Sequence, residues 1–356
     1  MIALGKFFII NQIIKTQLLL GFLLFCFNCS TPITQFSFKG ETMGTTYNIK
    51  IVTYKNFNTK EIKTSIDSIL VVFNRQMSTW DPKSEISTFN RWNSLDSFKV
   101  SKYFYDVVKE ALTISEKSQG MFDITVFDLL SLWGFGPNPK SGIPEKNKID
   151  SVLTYTGFQF LSAEKSSLLK KHKKTRIDLN AIAKGYGVDI IFDYIKSLGY
   201  ENIFVEIGGE VRFSGHNRNL DKWSIGLENP PSNLGISGEP FFGIFEGESA
   251  AVATSANYRN FVDLDGTILG HTINPKTGFP VQTDVLSVSV VAETCMEADA
   301  WATALMSLSY EDSQKILDNY NNIGAVWLLK TSEGDRVISI KGDFRIIDPI
   351  FEMKYL

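Results

Sequence analysis

Apolar positions along this chain recur in short strand-like runs interrupted by a few helical stripes. Residues 47–54 (YNIKIVTY) read as a strand. Ile62, Ile66, Ile69 and Phe73 follow at spacings of four, three and four, which predicts an amphipathic helix beginning near Asn58 or Thr59. Residues 103–118 predict a second helix, and the Gly- and Pro-rich 134–144 segment a surface loop. Further on, strand-like 175–179 leads into a helix over about 181–198. A strand at 202–207 then turns at Gly208-Gly209 into a hairpin partner at 210–214. Short alternating runs at 223–227, 241–245, 251–255 and 261–264 read as strands, as does 285–291. Residues 296–308 read as a helix, and a last helix and strand close the chain. Strands adjoin strands as often as helices, so the expected fold class is α+β: one large domain with a mostly antiparallel sheet and packed helices. No repeat or long Pro/Ser linker divides it.

Composition narrows the chemistry. The 356 residues are 44% hydrophobic and 21% charged, which excludes disordered and disulfide-stapled classes. The three histidines (His172, His216, His271) and three cysteines (Cys26, Cys29, Cys295) are too few and too scattered for a zinc or iron ligand set. A metal, if used, is expected to be a hard cation held by oxygen. A net charge of −3 gives no sign of a nucleic-acid partner. The one basic run, Lys170 to Lys174 (KKHKK), reads as an exposed loop before a strand.

Residues 1–28 carry Lys6 and Lys15, no acidic residue, and an apolar run from 18 to 27 that is too short to span a bilayer. That is the pattern of an export signal. Cys29 directly follows and resembles the lipid acceptor of a bacterial lipoprotein, although Asn28 and Cys26 depart from the usual flanking residues; ordinary cleavage or an uncleaved anchor are the alternatives. This division leaves 29–41 as a tether and 42–351 as the folded domain, with Cys295 its only thiol.

Several segments carry candidate chemistry. Asp299 and Thr303 in ADAWAT lie four apart, which on a helix puts a carboxylate and a hydroxyl on one face. With a carbonyl and waters they suit Mg²⁺; the alternative is an acidic residue favouring the helix dipole and a core threonine. The 177–189 junction (IDLNAIAKGYGVD) passes from strand to helix through small residues that admit a phosphate, with Lys184 adding charge. Glu206 sits at a strand end before two glycines. His271 lies in a polar loop (HTINPKTG), as a general acid or base or as a surface hydrogen-bonding residue. Trp80 in MSTW can stack a flat ring or pack in the core.

Taken in order, TMGT, MSTWDPKSEISTFN, QGMFDITV, LWGFG, DLNAIAKGYGVD, VEIGGE, ATSANYR, HTINPKTG and ADAWATAL resemble the ApbE family of FAD:protein FMN transferases from Thr42 to Leu305. The resemblance implies an exported, membrane-anchored protein of the bacterial cell envelope. It also implies Mg²⁺-dependent transfer of FMN from FAD onto a Ser or Thr hydroxyl of an acceptor flavoprotein, with AMP released. Metal ligands then fall on Asp299, Thr303 and the Ala302 carbonyl, completed by a carbonyl at Ala181 or, alternatively, Ala183. Flavin contacts fall on Met43, Trp80, Asp123, Lys184, Glu206, Ser255, Arg259 and His271, and His271 or Asp299 becomes the proton acceptor. Asn180 and Ala256 stand where the family often has Gly. A hydrolase splitting FAD into FMN and AMP, and a non-catalytic flavin-binding lipoprotein, are the competing expectations.

Overall fold

A computed structural model describes residues 32–55, 57–230, 240–256, 261–264, 267–332, 336–342 and 345–355. The 1–28 signal, Cys29 and Arg259 therefore lie outside the described residues. In chain order the elements are β1 (Thr34–Thr42), β2 (Thr45–Thr53), α1 (Thr59–Met77), α2 (Glu85–Arg91), β3 (Phe98–Lys99), α3 (Lys102–Lys117), α4 (Phe127–Leu132), α5 (Lys146–Leu153), β4 (Leu161–Glu164) and β5 (Ser167–Lys170). They continue with α6 (Ala183–Ser197), β6 (Asn202–Ile207), β7 (Glu210–Ser214), β8 (Trp223–Glu228), β9 (Phe241–Gly247), β10 (Ser249–Ala256), β11 (Phe261–Leu264) and β12 (Thr267–Gly270). The chain closes with β13 (Val285–Ala292), α7 (Cys295–Met306), α8 (Tyr310–Leu317), β14 (Gly324–Lys330), β15 (Arg336–Lys341), β16 (Ile346–Ile347) and β17 (Glu352–Tyr355).

Among the described residues nine strands form the main sheet in the order β1-β2-β6-β7-β10-β13-β14-β15-β17, antiparallel throughout except for the final β15–β17 pair. The α+β expectation holds. Period-two alternation divides its faces. Ile49, Ile51, Ile203, Val205, Ile207 and Ala251 face α1 and α6, whose Ile62, Ile66, Leu70, Val188 and Ile191 complete that core. Each such aliphatic side chain contributes roughly 1.5–3 kcal/mol by leaving water. On the opposite face Phe213, Leu328, Ile338 and Ile340 meet Trp223, Phe242, Phe245 and Ile346 from the small sheet β16-β9-β8. Among the described residues no helix is long and apolar enough to cross a membrane.

Four details differ from the sequence reading. Residues given to a tether form β1, the outermost strand, paired with β2 from Thr34 to Thr42. The sheet also runs past residue 351, because β17 adds beside β15. Residues 175–179 are not a strand; the side-chain amide of Asn90 replaces a neighbouring strand, accepting from Ile177 N and donating to Ile177 O, both at 2.8 Å. Lys170 is not on an exposed loop: it ends β5, only 2% exposed, with its ammonium donating to the Trp92 carbonyl at 3.0 Å and 4.7 Å from the centre of the Phe89 ring.

Candidate active site

The start of α6 and the middle of α7 meet where one residue has no side chain. A Cβ on Gly185 would collide with the Cys295 carbonyl and stand 2.8 Å from Asp299 Cβ, so only glycine permits this approach. Gly185 N–H then donates to Asp299 Oδ2 at 3.0 Å. Asp299 is buried within α7, and Thr303 lies one turn further along the same face. Burial pushes the Asp299 carboxyl up, opposed by the Lys184 ammonium and the Gly185 amide.

Lys184 pairs with buried Glu210, the first residue of β7. Burial opposes the charge on Lys184, yet Asp299 and Glu210 outweigh it and lift the ammonium to about 12. Burial likewise raises Glu210, with Lys184 opposing. Glu210 of VEIGGE had no role assigned from sequence; opposite Ile207 on the β6–β7 ladder it faces the helices, which is the signal that pairs it with Lys184.

Two hairpin turns close over this junction. Met43 and Gly44 have φ of 51° and 71°, the left-handed pair of a tight two-residue turn between β1 and β2. Met43 reaches α6, where a Cβ on Gly187 would lie 3.1 Å from its Cε. Gly208, with φ of +65°, has no room for a side chain between Thr45 and Lys184.

Besides Glu210 Oε2, which stays beside Lys184, three oxygens at this junction accept no hydrogen bond among the described residues: the Ala181 carbonyl, Asp299 Oδ1 and the Thr303 hydroxyl. One carboxylate and two neutral oxygens suit a hard divalent cation that keeps several waters. Among the described residues there is no cluster of three or more His, Cys, Asp or Glu to hold a softer metal. Ala183 and Ala302 lie inside α6 and α7, where carbonyls belong to the helical ladder. Ala181 precedes its helix and is the better placed carbonyl.

The other expected contacts come from separate elements. Trp80 follows α1 and is 65% exposed, unlike the buried tryptophans of the core. Ser255 sits on β10 opposite Val288, half-buried on the face that Ala253 turns to the helices. His271, half-buried, follows β12 with its ring edge-on to Phe135, centroids 6.4 Å apart. Its loop is fastened by Trp133 Nε1 donating to the Gly278 carbonyl at 2.7 Å. Glu206 alternates onto the face opposite Ile207, away from Lys184 and Asp299, and its Oε1 accepts from Gly209 N at 2.9 Å. Asp123 has both oxygens committed: Oδ1 accepts from Thr125 N at 2.8 Å and Oδ2 from Phe158 N at 2.7 Å. These bonds tie two loops together.

The sequence profile of the ApbE family matches residues 43–327. The chain is 39% identical over 317 residues to an FAD:protein FMN transferase of Vibrio cholerae, covering 88% of this chain and 93% of that one. It is 32% identical over 302 residues to the enzyme of the same name from Escherichia coli strain K12, covering 83% and 84%. Among solved structures, the flavin transferase ApbE from Vibrio cholerae superposes with a TM-score of 0.78 at 37% identity, covering 88% of this chain and 97% of that one. The apo flavinyl transferase ApbE of Pseudomonas stutzeri gives 0.76 at 29% identity, covering 87% and 94%. The glycine-dependent junction of α6 and α7 and the two hairpin turns above it thus lie within the matched part of the chain and the shared fold: the protein is a transferase that belongs to the ApbE family.

Proposed function

We propose that the protein transfers FMN from FAD to a Ser or Thr hydroxyl of an acceptor protein, releasing AMP and requiring Mg²⁺. The observation that carries this reading is the set of three uncommitted oxygens from Ala181, Asp299 and Thr303 at the α6–α7 junction, in a chain similar to enzymes named FAD:protein FMN transferase. A bound Mg²⁺ supplies charge neutralisation for the pyrophosphate. In the reaction the acceptor oxygen bonds to the FMN phosphorus, the bond from that phosphorus to the bridging oxygen breaks, and the electron pair leaves with AMP. Such a transfer needs positioning and electrostatics more than a nucleophile from the enzyme.

The chain's own groups divide the work. Lys184, fixed by Glu210, adds positive charge beside Asp299. Trp80 offers an exposed indole for the flavin ring. His271 takes the proton of the acceptor hydroxyl, since Asp299 is committed to the Gly185 amide and the cation. In this reading, export through residues 1–28 and lipidation at Cys29 anchor the enzyme at the membrane of the cell envelope.

The test mixes the mature protein with FAD, Mg²⁺ and a candidate acceptor domain and looks for FMN on Ser or Thr by mass spectrometry. An adduct with equimolar AMP is expected. Free FMN and AMP without an adduct would make the protein a hydrolase, and tight FAD binding without products a carrier. Asp299→Ala should abolish Mg²⁺-dependent turnover. His271→Asn should keep FAD binding and slow transfer about 10²- to 10⁴-fold.

A further inference from the structure

α6 and α7 cap one another. The third amide of α6, Gly185 N–H, has no acceptor within its own helix, and the N-cap position is filled by Ile182, which has no side-chain acceptor. Asp299 of α7 accepts that hydrogen bond instead. The first two amides of α7 are orphaned in the same way, and Asp189 of α6 takes both. Its Oδ1 accepts from Cys295 N at 2.9 Å and its Oδ2 from Met296 N at 2.8 Å. Thr294 accepts from the third, Glu297 N, at 3.3 Å. The two carboxylate contacts lie one turn apart on each helix and run in opposite directions. The helices are therefore pinned antiparallel at two points.

Asp189 is itself held in place. Arg212 of β7 donates from Nη1 to Asp189 Oδ1 at 2.9 Å and to Asp193 at 3.3 Å, with its guanidinium 4.4 Å over the Phe192 ring. Glu210 and Arg212 are thus alternate residues of one strand that grip the same helix at Lys184 and Asp189.

We propose that Asp189, held by Arg212, is a positioning residue for the divalent-cation site, setting the register of α7 against α6. This inference rests on the cation reading above. The Ala181 carbonyl precedes α6, whereas Asp299 and Thr303 ride on α7, so their mutual spacing depends on how the helices are aligned. A slip of one residue moves α7 by about 1.5 Å. Mg²⁺ demands near-octahedral oxygens at roughly 2.0–2.1 Å and does not tolerate such a shift. Asp299 cannot fix the register alone, because it engages through Oδ2 only and leaves Oδ1 for the cation. The Asp189 pin has no such double duty.

The test titrates Mn²⁺, as a paramagnetic stand-in for Mg²⁺, into the folded protein without FAD, with thermal unfolding recorded in parallel. Wild type should bind and Asp299→Ala should not. Asp189→Ala should weaken Mn²⁺ binding by about tenfold or more, the scale of lost outer-sphere support. Asp189→Asn and Arg212→Lys, which keep part of the contact, should fall between. In transfer assays the Mg²⁺ concentration for half-maximal rate should rise in step, while KM for FAD at saturating Mg²⁺ stays within about twofold. Asp189 variants that melt earlier yet bind Mn²⁺ like wild type would make this residue purely structural and overturn the proposal. If Asp189→Ala does not fold, Asp189→Asn and Arg212→Lys decide by the same criterion. A wild type that binds no Mn²⁺ overturns the cation reading, and this proposal with it. Binding lost in Asp299→Ala but intact in every Asp189 and Arg212 variant overturns this proposal alone.

Discussion

The indole N–H of Trp133 donates to the carbonyl of Gly278 at 2.7 Å, joining two segments 145 positions apart. Gly278 itself has φ of +73° and lies against Ile149 and Leu129, so the end of the His271 loop is locked to the α4–α5 region. Trp133→Phe keeps most of the packing and removes the hydrogen bond. It should lower stability by about 1 kcal/mol. Transfer should slow while Mn²⁺ affinity stays at the wild-type value. Chemical denaturation and single-turnover rates measure both; an unchanged rate would disconnect this anchor from catalysis.

Gly185→Ala tests the close approach of α6 and α7. The new methyl collides with the Cys295 carbonyl, which is backbone and cannot swing aside. A loss of about 3 kcal/mol or more is expected, together with loss of divalent-cation binding. A variant of normal stability would show that the helices can part without cost.

Trp80 is the one strongly exposed tryptophan, and we propose it as the flavin's stacking partner. Trp80→Ala should leave the melting temperature unchanged and weaken FAD binding by roughly 0.5–1.5 kcal/mol, about 2- to 13-fold in Kd. Fluorescence titration with FAD reads this directly, and an unaltered Kd would remove Trp80 from the site.

Lys170 makes stability depend on pH. Burial, helped by the Arg176 charge and opposed by Asp128, pulls its ammonium down from 10.5 to about 8. Between those values the unfolded chain holds a proton that the folded protein has released. The penalty for burying the charge is therefore full below about 8 and fades as pH rises towards 10.5. Lys170→Met removes this dependence, so the variant's melting temperature relative to wild type should be higher at pH 7 than at pH 10. A pH-independent difference would refute the assignment.

The sequence exposed the parts of the fold whose rules are local. Asn58 caps α1, accepting from Glu61 N at 3.3 Å, as its position before an apolar stripe implied. Asp299 and Thr303 share a helical face because four-residue spacing requires it. What escaped depended on contacts between distant segments. Asn90 imitates a strand for Ile177 across 87 positions, and Lys170 finds a carbonyl and a ring in a segment that looks like a solvated basic run. Asp123 stands in a short motif, yet its bonds to Thr125 and to Phe158, 35 positions on, could not be read from it. Glu206 and Glu210 are four apart but fall on opposite sides of the sheet, because the Gly208-Gly209 turn lies between them.

Cys295 is wholly buried at the head of α7, its thiol held protonated by burial, its amide bonded to Asp189 and its carbonyl against Gly185. A thiol reagent can reach that sulfur only when the packing around the head of α7, its contact with α6 included, opens. The rate at which this native cysteine is alkylated is thus a built-in clock for opening of the helix pair. Ligands that close the site should slow it, without any label having been introduced.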